Sequence, residues 1–107
     1  GSWTETVLFN FDAGKSFMPG GNLIADPAEN LYSTSDGRNC GSVFRLLNST
    51  WVEAEIDLFA DTGQACGPNT PTFGKFGGLY ASSIAGGTSR GTCFAKYGCG
   101  TIFAVYQ

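Results

Sequence analysis

The stretch W-T-E-T-V-L-F-N-F at residues 3–11 is followed, 48 positions later, by W-V-E-A-E-I-D-L-F at residues 51–59. Two further landmarks recur in the same order: N-L-Y (30–32) with G-L-Y (78–80), 48 apart, and C-G-S-V-F (40–44) with C-G-T-I-F (99–103), 59 apart. The second copy thus carries about eleven extra residues before its last landmark. An internal repeat with a period near 50 residues is typical of propellers and other repeat arrays.

The patterning predicts an all-β chain. Its 107 residues include 16 glycines, and no window keeps apolar residues at helical spacing. Apolar runs between turn residues predict short strands at 4–11, 22–25, 31–35, 42–47, 52–59, 72–76, 78–83 and 101–106. The apolar alternation of 4–11 (Val7, Phe9, Phe11) has the opposite parity to that of 52–59, a difference that a bulge would reconcile.

Charge and motifs exclude several classes of function. The net charge of −3 argues against a nucleic-acid partner, which needs a basic face. No apolar run approaches the ~20 residues of a membrane span, and no signal peptide is present, so we expect a mature form or a piece of a longer protein. The chain has no histidine and no G-x-S-x-G, Walker A or H-E-x-x-H motif, which predicts a protein that is not an enzyme and needs no cofactor.

The acidic residues admit two interpretations. Glu53, Glu55 and Asp57 alternate along one predicted strand, where they could in principle include a glycosidase-like acid pair. A solvated sheet surface is the simpler prediction for such a run. Asp26 and Asp36 fall in predicted turns, where a carboxylate accepts backbone hydrogen bonds, and no calcium-loop pattern or metal site is predicted.

Four cysteines without a histidine predict two disulfides and an oxidising compartment, hence a secreted, extracellular or cell-surface protein. A zinc site with four cysteine ligands is the alternative, although the chain lacks the C-x2-C spacing typical of such sites. Asn48-Ser49-Thr50 also fits the N-glycosylation sequon, which makes Asn48 a possible acceptor.

Several of these stretches resemble the bacterial GloVer (Gloeo/Verruco) tandem repeat. They are W-T-E-T-V-L-F-N-F (3–11), P-G-G-N-L-I-A-D-P-A-E-N-L-Y-S-T-S (19–35), C-G-S-V-F-R-L (40–46) and G-C-G-T-I-F-A-V (98–105). The resemblance covers nearly the whole chain as two copies and implies a propeller-like array in an exported bacterial protein, with no catalytic residues to carry over. The second copy departs from the pattern: it lacks the turn Asp, and Pro71 lies four residues closer to Tyr80 than Pro19 lies to Tyr32.

By this resemblance, residues 1–107 form one repeat module of two four-stranded antiparallel blades. The first blade spans 12–60, and the second spans 61–107 and is completed by the N-terminal strand at 3–11. Two blades cannot close a ring of the usual four to eight. We therefore expect self-association of copies, head to tail, into a closed ring or a filament.

The same arrangement places all four cysteines in loops on one side of the blades. Of the three possible pairings, it favours Cys93 with Cys99 and Cys40 with Cys66. The bridged loop carries Phe94, Lys96 and Tyr97, with Arg90 nearby, a combination suited to stacking on a sugar or docking a cell-surface partner. The expected function is a non-catalytic module for binding or assembly through this loop face. A lectin with pockets between blades and a structural subunit of a fibre or surface layer are the alternatives.

Overall fold

The chain folds into two antiparallel sheets with almost no helix, which confirms the all-β prediction. The structure, a computed structural model, describes residues 1–12, 19–36, 40–58, 65–88 and 98–106. Within these ranges a single 3-10 turn (Lys75–Gly77) accompanies eight strands. They are β1 (Ile24–Ala25), β2 (Leu31–Ser35), β3 (Ser42–Leu46), β4 (Glu53–Leu58), β5 (Ala65–Pro68), β6 (Thr72–Phe73), β7 (Leu79–Gly86) and β8 (Thr101–Val105).

The first sheet is a meander in the order β1-β2-β3-β4. Its strands follow one another along the chain, so short turns suffice to connect them. The pairing of β3 with β4 changes register once, because Val43 lies opposite Asp57 whereas Phe44 lies opposite Glu55. Ile56 is therefore an extra residue on β4, and its half-buried side chain packs against the core.

The second sheet is built around β7. Strands β5 and β6 both pair with one edge of β7, β5 towards its C-terminal end and β6 towards its N-terminal end. Strand β8 pairs with the opposite edge. Within the described residues no further strand pairs with the outer edge of β8.

The two sheets share one register at their centre. In the first sheet Leu31 pairs with Leu46 and Ser35 with Ser42. In the second, the residues 48 and 59 positions later form the same pairs, from Leu79 with Val105 to Ser83 with Thr101. Position for position, β7 corresponds to β2 and β8 to β3, and we call such residues counterparts.

The edge pairings extend this correspondence and correct one detail of the sequence comparison. Pro19 bridges Ser35 in the first sheet, and Pro68 pairs with Ser83 in the second. The counterpart of Pro19 is thus Pro68, not Pro71. The distance along the chain from this proline to the following Tyr is therefore nearly equal in the two halves.

The core lies between the sheets. Tyr32, Cys40, Val43 and Leu79 form its buried cluster, and half-buried apolar side chains from both sheets pack around it. The Tyr32 and Phe73 rings meet edge to face, with 5.2 Å between centroids. The Cys40–Cys66 disulfide joins the sheets covalently, which confirms that predicted pair.

Three local expectations were wrong. Residues 4–11 form no strand, since within residues 1–12 the chain belongs to neither sheet. Strand β5 was missed, because A-C-G-P is short and ends in proline. The second inner strand is shorter than predicted and ends at Phe73, because the 3-10 turn Lys75–Gly77 follows it. No helix in the described part of the chain is long and apolar enough to cross a membrane.

Candidate assembly surfaces

The outward side of the second sheet presents large apolar side chains to solvent. From Leu79 to Ala85 the odd-numbered residues of β7 are buried and the even-numbered ones point outward, as the two-residue period of a strand requires. Ile102 is 83% exposed and Ile84 60% exposed, and Tyr80 and Ala104 lie on the same side. We call Tyr80, Ile84, Ile102 and Ala104 the open face.

Two members of the open face, Tyr80 and Ile102, have counterparts that are buried at the core, whereas the counterparts of Ile84 and Ala104 are the exposed Asp36 and the half-buried Arg45. Tyr80 corresponds to Tyr32 and Ile102 to Val43, and in the first sheet both of these residues belong to the cluster that packs on the second sheet. Thr34, the counterpart of Ser82, is fully buried, and its hydroxyl lies 3.5 Å from the carbonyl oxygen of Pro68 across the sheets. The positions of Tyr32 and Val43 are thus internal in the first sheet, whereas their counterparts Tyr80 and Ile102 are exposed in the second.

The side of the first sheet that faces away from the core is covered by the N-terminal residues of the same chain. Leu31, Ser33, Phe44 and Leu46 lie on this side, which we call the capped face, and Phe44 is only 1% exposed. Leu8, Phe9 and Phe11 lie over it and leave a largely apolar cavity of about 330 Å³. The counterparts of the capped face are Leu79, Ala81, Phe103 and Val105, which face the core from the second sheet.

Residues 3–11, the N-terminal segment, are held by aromatic contacts rather than by a β-ladder. The Phe11 ring meets Phe44 edge to face at 5.2 Å between centroids, and Phe9 meets Phe11 at 5.0 Å. Nearer the terminus the side chains extend into solvent, with Trp3 fully exposed and Val7 66% exposed. Exposed apolar residues in such number mark surfaces suited to a protein partner.

A hydrogen-bonded turn precedes β2 and fixes the start of that strand. The Asp26 Oδ1 atom accepts from the backbone N–H groups of Ala28 (2.9 Å) and Asn30 (3.0 Å). Its Oδ2 atom accepts from the Asn30 amide (3.0 Å) and the Tyr32 hydroxyl (2.9 Å). These hydrogen bonds, that of the Asn30 side chain first, hold the pKa of Asp26 below its ordinary value. The predicted turn role of Asp26 is confirmed.

The counterpart turn in the second sheet uses glycine instead. Gly74 N–H donates to the Gly78 carbonyl (2.8 Å), as Asp26 N–H donates to the Asn30 carbonyl (3.1 Å). A Cβ at Gly74 would overlap the ring of Tyr80, so no aspartate fits there. The Tyr80 hydroxyl instead lies 2.9 Å from that of Tyr106, and this hydrogen bond raises the pKa of Tyr106.

Two predicted residues lie in unexpected surroundings. Glu53 is half-buried and its carboxylate oxygens are shielded from water, so the solvated surface predicted for its strand is wrong at this position. Asn48 lies in a turn, where its side-chain amide donates to the Ala28 carbonyl (3.1 Å). The nitrogen that a glycan would occupy is thus already hydrogen-bonded, and glycosylation of Asn48 stays a prediction.

The predicted loop site falls outside the described residues. Arg90, Cys93, Phe94, Lys96 and Tyr97 all lie there. Cys99 is described and is disulfide-bonded, but its predicted pairing with Cys93 stays a prediction. In the described ranges no group of three or more potential metal ligands comes together.

Comparison of the chain with protein-family models, with curated proteins and with solved structures finds no match. The resemblance to the GloVer repeat therefore stays a prediction from the quoted motifs. The internal correspondence between the two sheets is the main guide to function.

Proposed function

We propose that this chain is a non-catalytic, propeller-type module that works by assembly, with the open face of one copy packed on the capped face of the next. The observation that supports this is the correspondence of faces. The junction inside the chain joins the first sheet's Tyr32 side to the second sheet's Leu79 side. The open face of the second sheet is the counterpart of the Tyr32 side, and the capped face of the first sheet is the counterpart of the Leu79 side.

Such an interface is heterologous, because each copy contributes a different surface. Repetition of a heterologous contact gives a ring where the rotation closes and a filament where it does not. In the interface, the N-terminal segment would withdraw from the capped face, and Ile102 of the neighbour would take the place that Val43 holds in the core, against Leu31, Phe44 and Leu46. A fibre or surface-layer subunit is then the open-ended form of the same assembly.

The proposed function has two further parts, export and binding through the loops, and neither depends on a described binding site. The Cys40–Cys66 bridge is compatible with an extracellular protein, and we propose export on that basis. The loops on the cysteine side would be displayed many times in a ring or filament. Multivalent display strengthens weak binding to a surface carbohydrate or other partner without new contacts.

The test is the solution mass of the chain by light scattering after size exclusion, over a range of concentrations. We expect a discrete mass of several chains, or a filament population. Ile102→Asp should weaken association at least about tenfold, because burying an isoleucine contributes about 1.5 to 3 kcal/mol and a buried unpaired carboxylate costs more. A monomer at every concentration would overturn the proposal.

Thr88→Asp provides the matched control. Thr88 is exposed just beyond the end of β7, so the substitution adds the same charge away from the open face. Its mass should equal that of the unsubstituted chain. Equal weakening by the two substitutions would point to a general charge effect and contradict the assigned face.

A further inference from the structure

We propose that, within this assembly, the N-terminal segment of one copy adds to β8 of the adjacent copy as the fourth strand of its second sheet. The inference rests on the proposed function and names the partner segment and its register. It starts from two described facts: residues 1–12 belong to neither sheet, and within the described ranges no strand lies beyond β8.

The register follows from β3 and β4. Their pairs are Ser42 with Leu58, Val43 with Asp57, Phe44 with Glu55, Arg45 with Ala54 and Leu46 with Glu53. The counterparts of β3 lie 59 positions later on β8, and those of β4 lie 48 positions earlier in the N-terminal segment. The transferred pairs are Thr101 with Asn10, Ile102 with Phe9, Phe103 with Val7, Ala104 with Thr6 and Val105 with Glu5.

The bulge is transferred with the register. Ile56 is the extra residue on β4 and packs against the core between the sheets. Leu8 is its counterpart and would be the extra residue opposite β8. In the single chain Leu8 already lines the cavity on the capped face, which is where the neighbouring second sheet would dock.

Chain order makes both contacts part of one interface. Strand β4 leaves the first sheet and the chain then enters the second sheet, which packs against the first. The N-terminal segment likewise directly precedes the first sheet. A copy whose capped face receives a neighbour's open face therefore has its own N-terminal segment beside that neighbour's β8.

Edge addition also accounts for the exposed side chains of the segment. An antiparallel strand pairs its backbone groups with the open edge, and its alternate side chains then pack on the sheet faces. Val7 and Leu8 are exposed in the single chain, whereas Ile56 on β4 is half-buried. Pairing with β8 gives the segment the ladder that β4 (Glu53–Leu58) has within its own chain.

Photo-cross-linking of the full chain tests the pairing and its register. Thr6→p-benzoylphenylalanine is prepared in ¹⁴N and ¹⁵N forms, which are mixed, assembled, irradiated, reduced and digested with trypsin. Cleavage after Lys15 and Lys96 gives peptides 1–15 and 97–107. We expect cross-links from residue 6 to Ala104 or its neighbours, with about half of them joining a ¹⁴N to a ¹⁵N peptide, as random exchange between copies requires.

The control Ser2→p-benzoylphenylalanine lies outside the transferred ladder but in the same tryptic peptide. It should not label residue 104. Cross-links confined to single-isotope pairs would show closure within one chain and overturn the inference. An assembled species whose residue 6 labels only the first sheet would also overturn it, while leaving the proposed packing of faces intact.

A backbone variant gives a second readout that does not depend on the photoprobe. Consecutive residues of a strand direct their N–H groups to opposite edges, so Glu5→Pro together with Thr6→Pro removes one donor from the ladder whichever edge faces β8. The single-chain fold should not change, because residues 5 and 6 are exposed and lie outside both sheets. We expect association to weaken at least about tenfold relative to Gly1→Pro with Ser2→Pro, and equal association of the two variants would contradict the pairing.

Discussion

The two sheets share the register of their two central strands, but they differ at the outer strand and at the turn that precedes the central pair. The first has a paired outer strand, β4, and a turn built on Asp26. The second has no strand beyond β8 in the described ranges and a glycine turn in which Tyr80 fills the space of the aspartate. The difference shows that similar stretches of sequence form a strand only where the edge of another strand is available for pairing. Residues 53–58 pair with β3, whereas residues 4–11 pair with no strand of their own chain in the described ranges.

The largest contrast is expected at a pair of counterpart phenylalanines. Phe44 is almost fully buried between the first sheet and Phe11, and Phe103 is only half-buried. Phe44→Ala should lower the free energy of unfolding by about 3 to 5 kcal/mol, and Phe103→Ala by about 2 kcal/mol. Urea denaturation of the two variants, at concentrations where the chain is monomeric, measures both. Equal losses would mean that the capped and core sides are packed alike.

The second-largest loss of stability is expected when the disulfide that links the sheets is removed. Replacement of Cys40 and Cys66 by alanine removes a bridge that spans 26 positions, and the unfolded chain then gains conformational freedom. We expect a loss of about 3.5 kcal/mol in the free energy of unfolding. Thermal denaturation should show whether the sheets then unfold in two steps. A single transition at the original midpoint would contradict a stabilising role for the bridge.

The smallest effect is expected at Asp26, because only the first sheet has an aspartate in this turn. The pKa of Asp26 is lowered in the folded state, so its contribution to stability is present above the ordinary pKa of an aspartate. That contribution is lost as the pH falls through the lowered pKa. Asp26→Asn should therefore flatten the acid limb of the stability-against-pH curve.

Asp36→Asn is the comparison variant, since Asp36 is an exposed residue outside this turn. Urea denaturation from neutral to acid pH measures the difference between the two variants. Identical curves for both would rule out a special role for the Asp26 turn. The second sheet offers no equivalent titration, because Gly74 occupies the counterpart position.

Most of the fold could be predicted from the sequence, because apolar alternation and turn residues are local signals. Strands β2, β3, β4, β7 and β8 lie close to their predicted bounds, and the Cys40–Cys66 pair followed from the predicted topology. The structure of residues 4–11 could not be predicted, since a strand there depends on a partner edge rather than on its own residues. Strand β5 was missed for a related reason: its residues have little strand propensity, and pairing with β7 holds them in place.

The assembly surfaces could be predicted only in outline. The sequence indicated a repeat that must self-associate to close, but the identity of each face depends on which residues of the two sheets meet. Tyr32, Val43 and Leu79 show this, since they come together only in the folded chain. The loop residues predicted to bind a ligand carry no signal beyond their composition.

The Cys40–Cys66 bridge also determines which junctions between sheets could open in such an assembly. The counterpart of Cys40 is Cys99, but the counterpart of Cys66 falls at Phe17 or Met18, so no matching bridge can form between copies. Junctions along a ring or filament would alternate between covalently locked and reversible. The assembly would therefore dissociate only at the junctions between copies, and a closed ring would contain an even number of sheets because each chain contributes two.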